Sequence, residues 1–137
     1  MTTVAPVRST SNVRPPRLVL ASEHNHVKVP FCRALIEAIS NDESCPDVAV
    51  LLDVTKTVAH YHRGFDEVFF VLDGALNVRL FDPTSGLTSD HLLSEHEACI
   101  IPHGVHHQIT SATQHNRLCV LCAPHFDRED ETVSDHI

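Results

Sequence analysis

His60 and His62 are separated by one residue, and on an extended strand that spacing turns both imidazoles to one face while Tyr61 turns to the other. After the polar turn Arg63-Gly64-Phe65-Asp66, Glu67 opens a run in which Phe69 and Val71 share its face, so a carboxylate rejoins an otherwise apolar wall. A lone buried carboxylate is costly there, and a divalent cation removes that cost. Further along, Pro102-His103-Gly104-Val105-His106-His107 forces a tight turn before a strand. Adjacent strand residues point oppositely, so either His106 or His107 faces inward. Three imidazoles with one carboxylate make a borderline ligand set suited to a divalent transition metal such as Fe, Mn, Ni, Co or Zn.

Such a set needs neighbouring strands to aim it, and the chain supplies short apolar runs of strand length. They fall at 17–21, 33–39, 48–54, 58–62, 67–72, 76–81, 91–93, 99–101, 107–110 and 118–123. Turn signals separate most of them: Asn41 to Asp47, Asp73-Gly74, Asp82-Pro83-Thr84-Ser85-Gly86, and Pro102 with Gly104. Ala34 to Ile39 is short enough to suit a helix as well, and is read as a strand. Many short strands at this spacing predict an all-β sandwich or barrel. The absence of an internal repeat points to one unit rather than two fused ones. Residues 1–16, rich in Thr, Ser, Val and Pro, suit a flexible or strand-exchanging arm. Residues 17–126 are expected to form the barrel, and the acidic tail 127–137 to be a solvated terminus.

A net charge of −8 with no Lys/Arg run excludes the footprint of a phosphate-backbone binder, so nucleic acid is not an expected partner. The apolar stretch from Val48 to Leu52 is far too short to cross a bilayer, so no membrane is expected either, and no apolar block follows a basic start. Cys32, Cys45, Cys99, Cys119 and Cys122 make an odd count and sit mostly in apolar segments, as reduced thiols of a cytoplasmic protein do. Twelve histidines beside one tyrosine and no tryptophan put metal or proton chemistry first among the functions to consider.

The run from His60 through His62 and Glu67 to Gly74 resembles the first motif of the cupin superfamily, HxHxxxxExxxxxxG, with every required residue present. Pro102-His103-Gly104-Val105-His106-His107 is similar to the second, PxGxxH, whose last position selects His107 over His106. The resemblance covers about Val48 to Ala123 and implies an RmlC-like double-stranded β-helix, or jelly roll, with a metal on His60, His62, Glu67 and His107. It also implies a homodimer, with residues 1–20 as candidates for strand exchange. Three positions depart from the family pattern: Val54 and His96 stand where glycines are common, and Ser111 where an asparagine is.

Other chemistry-bearing residues read more plainly. His24-Asn25-His26 has no carboxylate or turn motif beside it and reads as a surface loop. Cys119 and Cys122 lie inside one strand-like run without a partner pair and read as buried thiols. His96, His103 and His106 crowd the second motif as exposed turn residues within reach of acid or base roles. Tyr61 is expected to pack away from the metal.

Four protein ligands on a six-coordinate metal leave two positions open, the arrangement of a catalytic site. By strand parity, Phe69, Val71, Leu76, Val78 and Ile109 form the expected substrate pocket, apolar walls for a small molecule that offers oxygen atoms to the metal. The expectation is therefore a metalloenzyme acting on an enolisable hydroxy-ketone or carboxylate, either a dioxygenase or an isomerase, cyclase or lyase, with Glu67 as proton shuttle. A non-catalytic metal- or metabolite-binding module is the alternative.

Overall fold

The computed structural model describes residues 13–137. A 3-10 turn at Ala21–Glu23 precedes β1 (Asn25–Val27), β2 (Ala34–Ile39), β3 (Asp47–Leu52), β4 (His60–Tyr61), β5 (Asp66–Asp73) and β6 (Leu76–Asp82). There follow β7 (Leu87–Leu93), β8 (Ala98–Ile101), β9 (His106–Ala112), β10 (Arg117–Ala123) and β11 (Thr132–Val133). Two antiparallel sheets result, ordered β1-β2-β3-β10-β5-β8 and β11-β4-β9-β6-β7. They form a jelly roll with open edges at β1, β8, β11 and β7 rather than a continuously hydrogen-bonded ring. Among the described residues no helix is long and apolar enough to cross a membrane.

Period-two patterning explains how the strands sort their side chains. On β5, Glu67, Phe69 and Val71 are buried while Asp66, Val68, Phe70 and Leu72 are less so. Val71, Leu76, Val78 and Leu118 are fully enclosed and, with Leu51, Phe69, Ile101 and Ile109, join the two sheets through one apolar core. The Ala34–Ile39 segment is a strand, paired with β3.

The first twelve residues of the expected N-terminal arm lie outside the described residues, and 13–16 form no regular element. The run 17–21 is not a strand. It ends in the 3-10 turn and leaves Leu18 and Leu20 exposed, having gained no ladder partner among the described residues. His24-Asn25-His26 contributes to the short edge strand β1 rather than a loop, with Asn25 donating to Glu37.

The C-terminal segment departs furthest from expectation. In place of a solvated tail, Thr132 and Val133 pair with Tyr61 and His60, and the Ser134 N–H donates to Ala59 O. Two β-branched residues in an acidic run are enough to extend the β4 ladder.

Tight turns set the register of the site strands. Gly74 has φ +79°, and a Cβ there would lie 2.5 Å from Thr113 Oγ1 and 2.6 Å from His115 O, so only glycine fits. His96, at one of the two family glycine positions, has φ +68°. At the other the left-handed residue is Asp53, with φ +55°, one place before Val54. Buried Asn116 secures that turn: it accepts from Val54 N and donates to Val54 O, while its backbone N–H donates to the Asp53 carboxylate.

Candidate metal centre

His60 opens the short strand β4 that pairs with β9, directly opposite His107, and His62 follows two residues on. Glu67 comes from β5 of the other sheet, so the four side chains converge from facing sheets. The turn that carries the second motif is tied to the first: the Gly104 N–H donates to His62 O at 2.7 Å, and both the backbone N–H and Nδ1 of His103 bond the Asp66 carboxylate at 2.8 Å. Asp66, held by those bonds, has its pKa lowered. His103 thus fixes the turn from the exposed side.

One candidate ligand atom from each of His60, His62, Glu67 and His107 lies within 4.8 Å of every other. His62, Glu67 and His107 are buried and His60 half-buried. Each imidazole is oriented by its second nitrogen. His60 Nδ1 donates to Val58 O at 2.6 Å, His62 Nδ1 to Asp130 O at 2.6 Å, and His107 Nδ1 to Val105 O at 3.1 Å. Carbonyl oxygens only accept, so these bonds place the proton on Nδ1 and leave three Nε2 lone pairs facing inward.

Glu67 Oε1 lies among them, 2.5 Å from His62 Nε2 and 3.1 Å from His107 Nε2. A carboxylate oxygen and a neutral Nε2 are both acceptors. Accordingly Glu67 Oε1 and His107 Nε2 are buried with no hydrogen-bond partner among the described residues. A positive centre between them would relieve acceptors packed this tightly, and the donor set could hold a divalent transition metal. Burial opposes charge on His62, yet the close contact with Glu67 and the carboxylate's charge raise its pKa. Burial likewise opposes charge on Glu67, but the contacts with His107 and His62 bring its pKa down to about 2. Burial, then the charge of His107, lowers the pKa of His60.

The C-terminal segment completes the surroundings of the centre. The Asp130 carboxylate accepts from the Arg63 and Gly64 N–H groups, which lowers its pKa, while its carbonyl orients His62. Glu131 Oε1 lies 3.5 Å from His60 Nε2. Neither residue belongs to a sequence motif, and the signal that would have found them is the β-branched pair Thr132-Val133 just beyond.

A cavity of about 350 Å³ opens onto the cluster, within the size range of small-molecule sites. Phe69 and Ile109 line it, as expected from parity. Val71, Leu76 and Val78 do not: they share the inward face but lie further along β5 and β6, where side chains of the two sheets meet and fill the core. Leu51, Phe31, Leu118 and Val120 are among the residues that supply further apolar wall.

His106 turns to the opposite face of its sheet from His107 but is buried rather than exposed. Its Nδ1 bonds Ser134 Oγ at 2.7 Å, and its ring stacks on Tyr61 with centroids 4.2 Å apart. The C-terminal segment covers that face, which the sequence expectation of a free tail overlooked. His96 and His103 are exposed. All five cysteines are free thiols; Cys122 is buried and the other four half-buried.

No protein-family model and no curated protein matches the chain. Solved structures do. The capsular polysaccharide assembling protein CapF of Staphylococcus aureus superposes with a TM-score of 0.67 at 17% identity, over 90% of this chain and 32% of that one. A Streptomyces PAC13 variant with uridine superposes with a TM-score of 0.70 at 11% identity, over 88% of this chain and 92% of that one. The Drosophila melanogaster CENP-C cumin domain gives 0.65 at 12% identity, over 77% of each chain. The chain therefore spans about a third of CapF and nearly all of PAC13. Its fold is the cupin-type, RmlC-like jelly roll.

Proposed function

We propose that the chain is a metal-dependent cupin enzyme that holds one divalent transition metal on His60, His62, Glu67 and His107 and acts on a small oxygen-bearing substrate. The observation that carries this reading is the convergence of three Nε2 lone pairs and an acceptor-only carboxylate oxygen on one buried point. Bound there, such a metal supplies Lewis acidity toward a substrate oxygen.

The chain's own residues do the rest. The three Nδ1–H donors keep the imidazoles in the ligating tautomer. Apolar walls from Phe69, Ile109 and Leu118 exclude water around the reacting carbon. Glu67 takes and returns a proton, in keeping with its place between two imidazoles. An enolisable hydroxy-ketone or carboxylate suits this arrangement, turned over by dioxygenation or by isomerase, cyclase or lyase chemistry, since the same four ligands serve either. The PAC13 likeness agrees in kind, since Pac13 is a nucleoside dehydratase. A cytoplasmic homodimer, paired through residues 1–20, remains the proposed assembly.

Hydroxy-ketones and keto acids incubated in heavy water with the metal-loaded protein test the reading. The expected result is deuterium exchange at the carbon beside the carbonyl, abolished in Glu67→Gln while metal is retained. Exchange that survives in Glu67→Gln contradicts the role of that carboxylate. Iron content with substrate-dependent oxygen uptake and no exchange shifts the assignment to an oxygenase. A ligand retained unchanged shifts it to a binding module.

A further inference from the structure

The cavity has a second buried carboxylate at some distance from the metal cluster. Asp47 opens β3, is 8% exposed and lines the cavity. In the sheet register it stands opposite Cys122, which in turn stands opposite Glu67, so all three point to the same interior face. Two strand spacings put the backbones of Asp47 and Glu67 about 10 Å apart. Asp47 is not part of the four-residue ligand cluster.

Its two oxygens differ. Oδ2 accepts the Phe126 N–H at 3.1 Å, which fixes the carboxylate, whereas Oδ1 is buried with no hydrogen-bond partner among the described residues. Cys122 lies between the two carboxylates in the register, yet neither Asp47 Oδ1 nor Glu67 Oε1 has a hydrogen-bond partner among the described residues. Glu37, also on the cavity wall, is already engaged by Asn25 and Arg128. The lining residues include Glu37, Asp47, Glu67 and Glu131 but, among the described residues, no Lys or Arg. An acceptor-only group in such a cavity is satisfied by a donor that brings no negative charge. A hydroxyl does so without the desolvation cost of a second buried ion.

We propose that Asp47 determines specificity at the far end of the cavity by accepting a hydrogen bond from a substrate hydroxyl about three or four carbons from the oxygens that meet the metal cluster. It excludes substrates that carry a carboxylate or phosphate there. This rests on the metal-site reading above and narrows its substrate class to polyhydroxylated compounds with a neutral distal end.

The test is calorimetric titration of Mn²⁺-loaded protein with glycolate, D-gluconate and D-glucarate, which share a metal-chelating hydroxy-carboxylate and differ at the distal end. Gluconate is expected to bind at least about tenfold tighter than glucarate and tighter than glycolate. In Asp47→Asn, whose side-chain oxygen still accepts the Phe126 N–H, the preference for gluconate over glucarate disappears while Mn²⁺ and glycolate affinities are unchanged. Equal affinities of gluconate and glucarate for the wild-type protein overturn the anchor and leave the metal site standing. So does failure of all three to bind Mn²⁺-loaded protein. Failure to take up Mn²⁺ overturns the metal-site reading, and the anchor with it.

Discussion

The backbone carbonyl of Asp130 lies 2.6 Å from Nδ1 of His62, so a residue 68 positions later in the chain sets the orientation of a candidate metal ligand. The Asp130 carboxylate holds that carbonyl in place through the N–H groups of Arg63 and Gly64, on the turn between the two halves of the first motif. Outer partners of this kind fix the tautomer and direction of a ligating imidazole.

Asp130→Ala should therefore weaken metal binding by about 10- to 100-fold while the fold is retained. Competition against a chromogenic chelator measures the affinity, and circular dichroism checks the fold. An unchanged affinity would mean that the β11 ladder alone holds the segment.

Gly74→Ala should destabilise the protein by about 2–3 kcal/mol, because the added Cβ meets Thr113 Oγ1 at 2.5 Å and backbone strain at φ +79° adds to the clash. Urea denaturation reads this loss. The turn lies away from the metal cluster, so metal stoichiometry in the variant should be unaltered.

The metal-free protein should lose stability in acid through Glu67. Its pKa falls from 4.5 in the unfolded chain to about 2 when folded, so its contribution is fully present above about pH 4.5 and is lost as pH falls toward 2. That amounts to roughly 3 kcal/mol. His62, with a raised pKa, adds stability below about pH 6.5 that is lost as pH rises through its folded value. His60, with a lowered pKa, acts oppositely and costs stability as pH falls below about 6.5. Chemical denaturation of wild type and Glu67→Gln across this range isolates the Glu67 contribution as their difference. A constant difference from pH 5 to pH 2 would contradict the pairing.

The strand framework was legible because the alternating burial of β5, and of β9 from His107 to Ile109, is written in the alternation of Glu67, Phe69 and Val71 and of His107 and Ile109. His60, His62 and Glu67 could be named because local spacing and strand parity turn them to one face, and His107 because the resemblance to the second motif selects it over His106, although only a fold brings the two motifs together. Three features escaped. The ladder between Thr132-Val133 and β4 depends on a partner some 70 residues away, which no local pattern encodes. The burial of His106 follows from that ladder, since the same segment brings Ser134 and His136 over it. Parity assigned Val71, Leu76 and Val78 to the inward face but carries no information on depth, which decides between cavity wall and filled core. Asp47 was within reach of the same parity argument, since Asp47, Ala49 and Leu51 share a face, and a carboxylate heading an apolar row is the signal that marks it.

The proposed function requires a cation among His60, His62, Glu67 and His107. Elemental analysis of protein purified without added metal or chelator is expected to show about one transition-metal ion per chain, lost on His62→Ala and on His107→Ala with the β-fold intact. Wild-type protein that carries no transition metal, and whose melting temperature does not move on addition of Mn²⁺, Fe²⁺, Co²⁺, Ni²⁺ or Zn²⁺, would contradict it.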